Sequence, residues 1–155
     1  MGKLIKIRDT IIHKDDQYNT FPSAIKLRNG EVLVGFRSAP DWQHVYGNVT
    51  HVDPSSVGVF VRSRDNGASW DASPTLIYRD YYLGIQDPCM NVLRDGTIFC
   101  TFFTWKVFLK EDVEPRPGDF SIYNRWIGRN AGVYSIRSTD GGKTWDQPIA
   151  IPPYA

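Results

Sequence analysis

Cysteine and histidine are scarce in this chain, and the scarcity closes off several chemistries. There are two Cys and three His in 155 residues. No Cys/His pair has the short spacing of a structural zinc site, so no metal is expected. Cys89 and Cys100 fall on neighbouring predicted strands separated by Arg94-Asp95-Gly96. A disulfide there is geometrically conceivable, but two buried free thiols are the expectation, because Cys packs as a small apolar side chain. Net charge is nearly absent too: 18 Lys and Arg against 17 Asp and Glu leave +1. That gives no basic surface for nucleic acid or an anionic membrane. No apolar run reaches the length of a membrane-spanning helix. Met1 to Arg8 alternate like a strand and lack the apolar stretch of a secretory leader. Met1-Gly2 without Ser or Thr at position 6 does not support myristoylation. A soluble protein without cofactor is expected, its compartment unassigned.

What the chain has in quantity is β-rich apolar runs, turn residues and aromatics, the last at 14%. One nine-residue stretch occurs twice, as Ser63-Arg64-Asp65-Asn66-Gly67-Ala68-Ser69-Trp70-Asp71 and as Ser138-Thr139-Asp140-Gly141-Gly142-Lys143-Thr144-Trp145-Asp146. Each copy lies between two short apolar runs and is therefore a turn joining two strands. An Asp carboxylate can accept backbone N–H groups of its own turn, and Gly supplies a positive φ at low cost. The Ser or Thr hydroxyl adds a local bond, and the Trp offers apolar area to the adjoining sheet. Ser63, Asp65, Gly67 and Trp70, with Ser138, Asp140, Gly142 and Trp145, are thus expected to be structural.

A second element repeats. Leu27-Arg28-Asn29-Gly30 and Leu93-Arg94-Asp95-Gly96 each separate two apolar runs, and Asn-Gly or Asp-Gly in that setting signals a hairpin. Pro22 aligns with Pro88. The order hairpin, long loop, strand, turn, strand therefore occurs twice, which makes two four-stranded units. Unit one is expected over about 20–80 and unit two over about 86–152, with a further strand over 3–13. The long loops run from Ser38 to about Ser56 and from about Lys106 to Ala131. Neither has a helical period.

The doubled Ser-x-Asp-x-Gly-x-Ser/Thr-Trp stretch resembles the Asp-box, or bacterial neuraminidase repeat, of the sialidase family. The resemblance implies an all-β fold: a partial six-bladed β-propeller of which residues 1–155 hold about two blades. It implies the N-terminal part of a glycoside hydrolase acting on terminal sialic acid or a related sugar, inactive by itself. The alternative is a non-catalytic glycan-binding or scaffold propeller, since the same box occurs in proteins without catalysis. Sialidases use a Tyr nucleophile activated by a Glu, an Asp as acid/base and three Arg on the substrate carboxylate. The Tyr/Glu pair and two of those Arg would lie beyond residue 155.

The resemblance assigns roles to particular positions. Asn19-Thr20-Phe21-Pro22 stands where the family carries Phe/Tyr-Arg-Ile-Pro, so Thr20 replaces the first substrate-binding Arg. Thr cannot form the bidentate carboxylate pair that suits Arg. Arg37, at a strand end, stands where the family has an Arg lining the pocket; its repeat partner is Phe103, so the charge has no structural counterpart in unit two. Asp53 precedes the third strand much as the family's acid/base does, with Asp41 as the competitor. Asp87, in Gln86-Asp87-Pro88, stands where the family points an Asp at the sugar. Thr20, Arg37, Asp53 and Asp87 are expected on one face, with the Asp-boxes on the opposite rim. His44 and His51 share the loop with Asp41 and Asp53 as weaker candidates for a base or metal ligand. A carbohydrate is the expected partner. Two blades leave strands and sheet faces open, so self-association through blade edges, or marginal folding, is expected.

Overall fold

The computed structural model describes residues 5–6, 9–48 and 51–153. Its strands fall into two antiparallel sheets. Strands β1 (Gln17–Lys26), β2 (Val32–Pro40), β3 (Val57–Ser63) and β4 (Thr75–Tyr78) pair in the order β1-β2-β3-β4, with the four-residue helix α1 (Gln43–Tyr46) between β2 and β3. In the second sheet, β5 (Gly84–Val92) pairs with β6 (Ile98–Leu109), and β6 with β8 (Trp126–Ser138). β8 then carries both β7 (Phe120–Ile122) and β9 (Ile149–Ile151). No described helix is long and apolar enough to cross a membrane.

The local chemistry explains the repeated hairpins. Gly30 and Gly96 sit at φ +91° and +92°, where a side chain would be strained. Asn29 accepts the Glu31 amide at 3.1 Å, and Asp95 accepts the Thr97 amide at 2.9 Å. The doubled turn also folds twice in the same way. Asp65 Oδ1 accepts Ser63 Oγ at 2.8 Å and the Ser69 amide at 2.8 Å. Asp140 Oδ1 accepts Ser138 Oγ at 2.8 Å, the Lys143 amide at 2.9 Å and the Thr144 amide at 3.0 Å. Ser63 and Ser138 accept the amides of Gly67 and Gly142 at 2.7 and 2.8 Å.

These bonds set an acid limit to stability. The Ser69 hydroxyl and amide hold the Asp65 carboxyl down at about 2, the Arg129 fork holds Asp119 at about 2, and Thr144 holds Asp140 well below the carboxylate range. All three ordinarily titrate at 3.8. A depressed folded value means stability present above the unfolded value and lost as pH falls through the folded one. The melting temperature should therefore hold down to about pH 4 and fall steeply toward pH 2. Asp65→Asn and Asp140→Asn should lower it at neutral pH and flatten that acid limb. Thermal melts from pH 7 to 2 check this, and a flat wild-type profile would contradict it.

The sheets face each other across one core. Ile25, Leu33, Phe60 and Ile77 from the first meet Ile85, Met90, Ile98, Cys100, Phe102 and Ile136 from the second. Gly35 permits the approach, because a Cβ there would lie 2.8 Å from Met90 Cε. The other face of the first sheet holds Val34, Phe36, Val59 and Val61, covered by Ile12 and Trp70.

Three expectations change. The strand expected over 3–13 lies partly outside the described residues, and its described part, Ile5–Lys6 and Asp9–His13, is irregular. Ile12 uses its side chain to cover sheet one and makes no ladder. The second long loop is largely β: Lys106–Leu109 continue β6 and pair with Trp126–Arg129. Its acidic residues hid this, yet Asp119 is a fixed acceptor, bonded to Arg129 Nε at 2.8 Å and Nη2 at 2.7 Å. Finally, Cys100 is buried but Cys89 is exposed, and both are free thiols. Cys89 pairs with Thr101 and Met90 with Cys100, so the two thiols sit on alternate faces of the ladder.

Candidate functional site

The site begins with two matched irregularities. Pairing of β1 with β2 breaks between Thr20 and Ser23, and pairing of β5 with β6 breaks between Gln86 and Cys89. Each break is a bulge just before Pro22 or Pro88, where Phe21 and Asp87 adopt φ +56° and +49°. A left-handed conformation is costly for a side chain of either kind, and bulges of this sort re-aim a side chain. Unit one spends the bulge on Phe21 and unit two on Asp87.

Arg37 lies opposite Thr20 across the β1–β2 ladder and has no exposed surface. None of its three guanidinium nitrogens has a hydrogen-bond partner. Burial pulls the guanidinium below its ordinary value, and Asp53, Tyr18 and Asp87 act in the opposite direction. The Tyr18 ring stands 5.9 Å from the guanidinium carbon. The acceptors nearby are orphaned too: Thr20 Oγ1, Gln86 Oε1 and Asp87 Oδ1 are buried without partners. Burial raises the Asp87 carboxyl, with Gln86, Arg37 and His51 opposing. A buried unsatisfied polar atom costs about 1–3 kcal/mol, and a charged one more.

Asp53 is buried and heavily bonded. Its Oδ2 accepts Trp42 Nε1 at 2.6 Å, and its Oδ1 accepts the Ser55 amide at 2.7 Å and the Ser55 hydroxyl. Ser56 Oγ lies 2.8 Å from both the Asp53 main-chain carbonyl and the Ile85 carbonyl, and shares its one proton between them. Asp53 thus ties the loop after α1 to the start of β5. Asp41 does different work: just before α1 it accepts the Gln43 amide at 2.9 Å, and it is not among the groups acting on Arg37. His51 stacks on Tyr18 with centroids 6.2 Å apart and meets Phe21 edge-on at 5.2 Å. His44 lies in the last turn of α1. No three His, Cys, Asp or Glu among the described residues are grouped to hold a metal ion.

Arg37, Asp53 and Asp87 therefore share one electrostatic neighbourhood, and the first Ser-x-Asp-x-Gly turn lies at the other end of the β2–β3 ladder, where Val32 pairs with Ser63. Tyr18 and the aromatic cleft beside Asp53 had no signal in the repeat. That cleft has a volume of about 280 Å³, with walls that include Trp42, Tyr46, Tyr123 and Trp126. Tyr46 and Tyr123 stack at 4.3 Å. Tyr46 ends α1 and Tyr123 lies in the turn between β7 and β8, so they meet only through folding.

No family model matches the chain, and no curated protein matches it at a significant level. Solved structures do. A protein of unknown function from Dyadobacter fermentans is 39% identical, with a TM-score of 0.76 over 92% of this chain and 38% of its own. A point mutant of the NanB sialidase from Streptococcus pneumoniae superposes with TM-score 0.62 at 10% identity, over 93% of this chain and 38% of the sialidase. Hadza microbial sialidase Hz136 superposes with TM-score 0.53 at 18% identity, over 84% of this chain and 24% of that one. The chain is a partial propeller of the sialidase type. Its two sheets have four and five strands, the fifth coming from β7 in the second. It spans 38% of the length of the Dyadobacter fermentans protein.

Proposed function

We propose that this propeller piece is the N-terminal part of a sialidase-like glycoside hydrolase acting on terminal sialic acid or a related sugar. The observation that carries the reading is the Arg37 guanidinium, wholly buried with three unpartnered nitrogens. A protein gains nothing in stability from such a group, so a ligand that supplies acceptors is the physical reason to keep it. In this reading Arg37 and Asp87 bind the sugar, and Asp53 is the acid/base, breaking its bond to Trp42 or Ser55 to exchange a proton. The two Ser-x-Asp-x-Gly turns are Asp-boxes and brace the rim. The nucleophile and the remaining Arg groups belong to further blades.

A second reading, a glycan-binding propeller without catalysis, draws support from Thr20 in place of the family Arg and from the three hydrogen bonds that occupy Asp53. One set of measurements tests what the two readings share. Wild-type chain should melt at higher temperature in millimolar N-acetylneuraminic acid, with no shift for Asp87→Asn, and should leave a fluorogenic sialoside intact. Turnover by the chain alone would refute the division of the site among blades. No thermal shift with any sugar would refute both readings.

A further inference from the structure

Buried hydrogen-bonding groups without partners describe the ligand that would satisfy them. Around Arg37 they are of two kinds. Arg37 offers donors only, and all three of its guanidinium nitrogens are buried and unpartnered. Gln86 Oε1 and the ionised Asp87 Oδ1 are acceptors only, and Thr20 Oγ1 can both give and take a hydrogen bond. A ligand that leaves none of them orphaned must bring acceptors and donors to the same place.

The fold sets these groups side by side. Thr20 pairs with Arg37 across the β1–β2 ladder, and Tyr18, two residues back on the same face, stands 5.9 Å from the guanidinium carbon. Ser23 Oγ accepts the Met90 amide at 2.9 Å and so pins β1 beside β5. Ser23 lies three residues beyond Thr20, and Met90 lies three residues beyond Asp87. The two bulges are therefore level with each other, Thr20 at one and Asp87 at the other.

Charge decides between the ligands that could fill this place. The carboxylates that act on Arg37 are Asp53 and Asp87, and neither is hydrogen-bonded to it. One guanidinium facing two carboxylates leaves this part of the site with an excess of negative charge. A carboxylate brought against Arg37 would meet that excess. It would also bring acceptors alone, leaving Gln86 and Asp87 without donors. A hydroxyl group does both jobs. Its oxygen accepts from Arg37, and its proton goes to Asp87, Gln86 or Thr20.

Resting on the reading that Arg37 and Asp87 meet a sugar, we propose that the site selects an uncharged sugar over an acidic one, with the Thr20 hydroxyl setting the choice. The ligand class is a neutral glycoside whose hydroxyl groups bridge Arg37 to Thr20, Gln86 and Asp87. N-acetylneuraminic acid still reaches these groups through its own hydroxyls, but its carboxylate is opposed there.

The probes are N-acetylneuraminic acid and its methyl ester, which share every hydroxyl and differ by one charge. Titration calorimetry at about pH 8 lies well above the ordinary carboxylate range and keeps imidazoles neutral. Wild-type chain should bind the ester about threefold or more tightly than the acid. Thr20→Val, which removes the hydroxyl at nearly constant volume, should weaken the ester about tenfold. Thr20→Arg sets a second guanidinium beside Arg37 and should reverse the order in favour of the acid. If Thr20→Arg does not fold, salt gives a second reading on wild type. Added sodium chloride should tighten the acid, whose charge is repelled, and leave the ester unchanged. An acid that binds wild type as tightly as the ester, or that loses affinity with salt, would overturn the proposal and leave the sugar reading standing. If neither compound binds, both fall.

Discussion

Arg37→Met is expected to raise the melting temperature of the chain while removing its response to sugar. The guanidinium is sealed from water, lacks any hydrogen bond, and has Asp53 and Asp87 near it only as charges. Replacing a buried ion pair by apolar side chains of similar volume is often neutral or stabilising by about 1–4 kcal/mol, and Arg37 has no hydrogen-bonded partner that its removal would leave unpaired. For a chain of this size about 1 kcal/mol moves the melting temperature by about 2–4 °C, so a rise of several degrees is expected. Scanning calorimetry of the two proteins decides it. A fall of similar size would mean that Arg37 holds the blade together. Its charge would then be structural, and the site would lose its central group.

Gly84→Ala should be the most damaging single methyl added to the molecule. A Cβ at Gly84 would lie 1.9 Å from the Asp53 carbonyl oxygen and 2.8 Å from Ser56 Oγ. Neither is the free end of a flexible side chain. The carbonyl belongs to the buried loop that Asp53 pins, and Ser56 Oγ is bonded on both sides. Forcing backbone aside in a packed interior costs about 1–3 kcal/mol or more. The same movement would carry Asp53 away from Arg37, so stability and sugar response should fall together. Urea melts together with sugar thermal shifts check this. A variant as stable as wild type would show that the loop after α1 is not held against β5.

Features governed by a few neighbouring residues could be read from the sequence. The Asn-Gly and Asp-Gly hairpins and the doubled Ser-x-Asp-x-Gly turn depend on bonds within about five residues, and the residue types dictate them. Two successive antiparallel sheets follow from those turns, but the fifth strand of the second does not. The placement of Arg37, Asp53 and Asp87 on the face away from the turns also follows, because strand direction alternates. Less legible was anything made by one blade meeting the other. The complete burial of Arg37 depends on how its surroundings close over it, and nothing in Gly35-Phe36-Arg37 distinguishes a buried strand end from a solvated one. Tyr18 comes from β1, Tyr46 from α1 and Tyr123 from the turn between β7 and β8. The bulge shared by Phe21 and Asp87 was half legible, through the aligned prolines. β7 was missed because Glu111 to Asp119 look like solvent-facing charge, whereas Asp119 is spent on Arg129. The irregular N-terminal segment shows the converse error: Ile11-Ile12 suggests a strand, but Ile12 works as a cover over Phe36 and its neighbours.

The central claim is that the Arg37 guanidinium waits for the acceptors of a sugar. Its own Nε–H resonance, followed by ¹⁵N NMR while N-acetylneuraminic acid is added, tests that most directly. The resonance should shift and saturate, and Asp87→Asn should weaken the saturation. A resonance that stays fixed while the sugar moves other signals, or while no signal moves at all, would contradict the account.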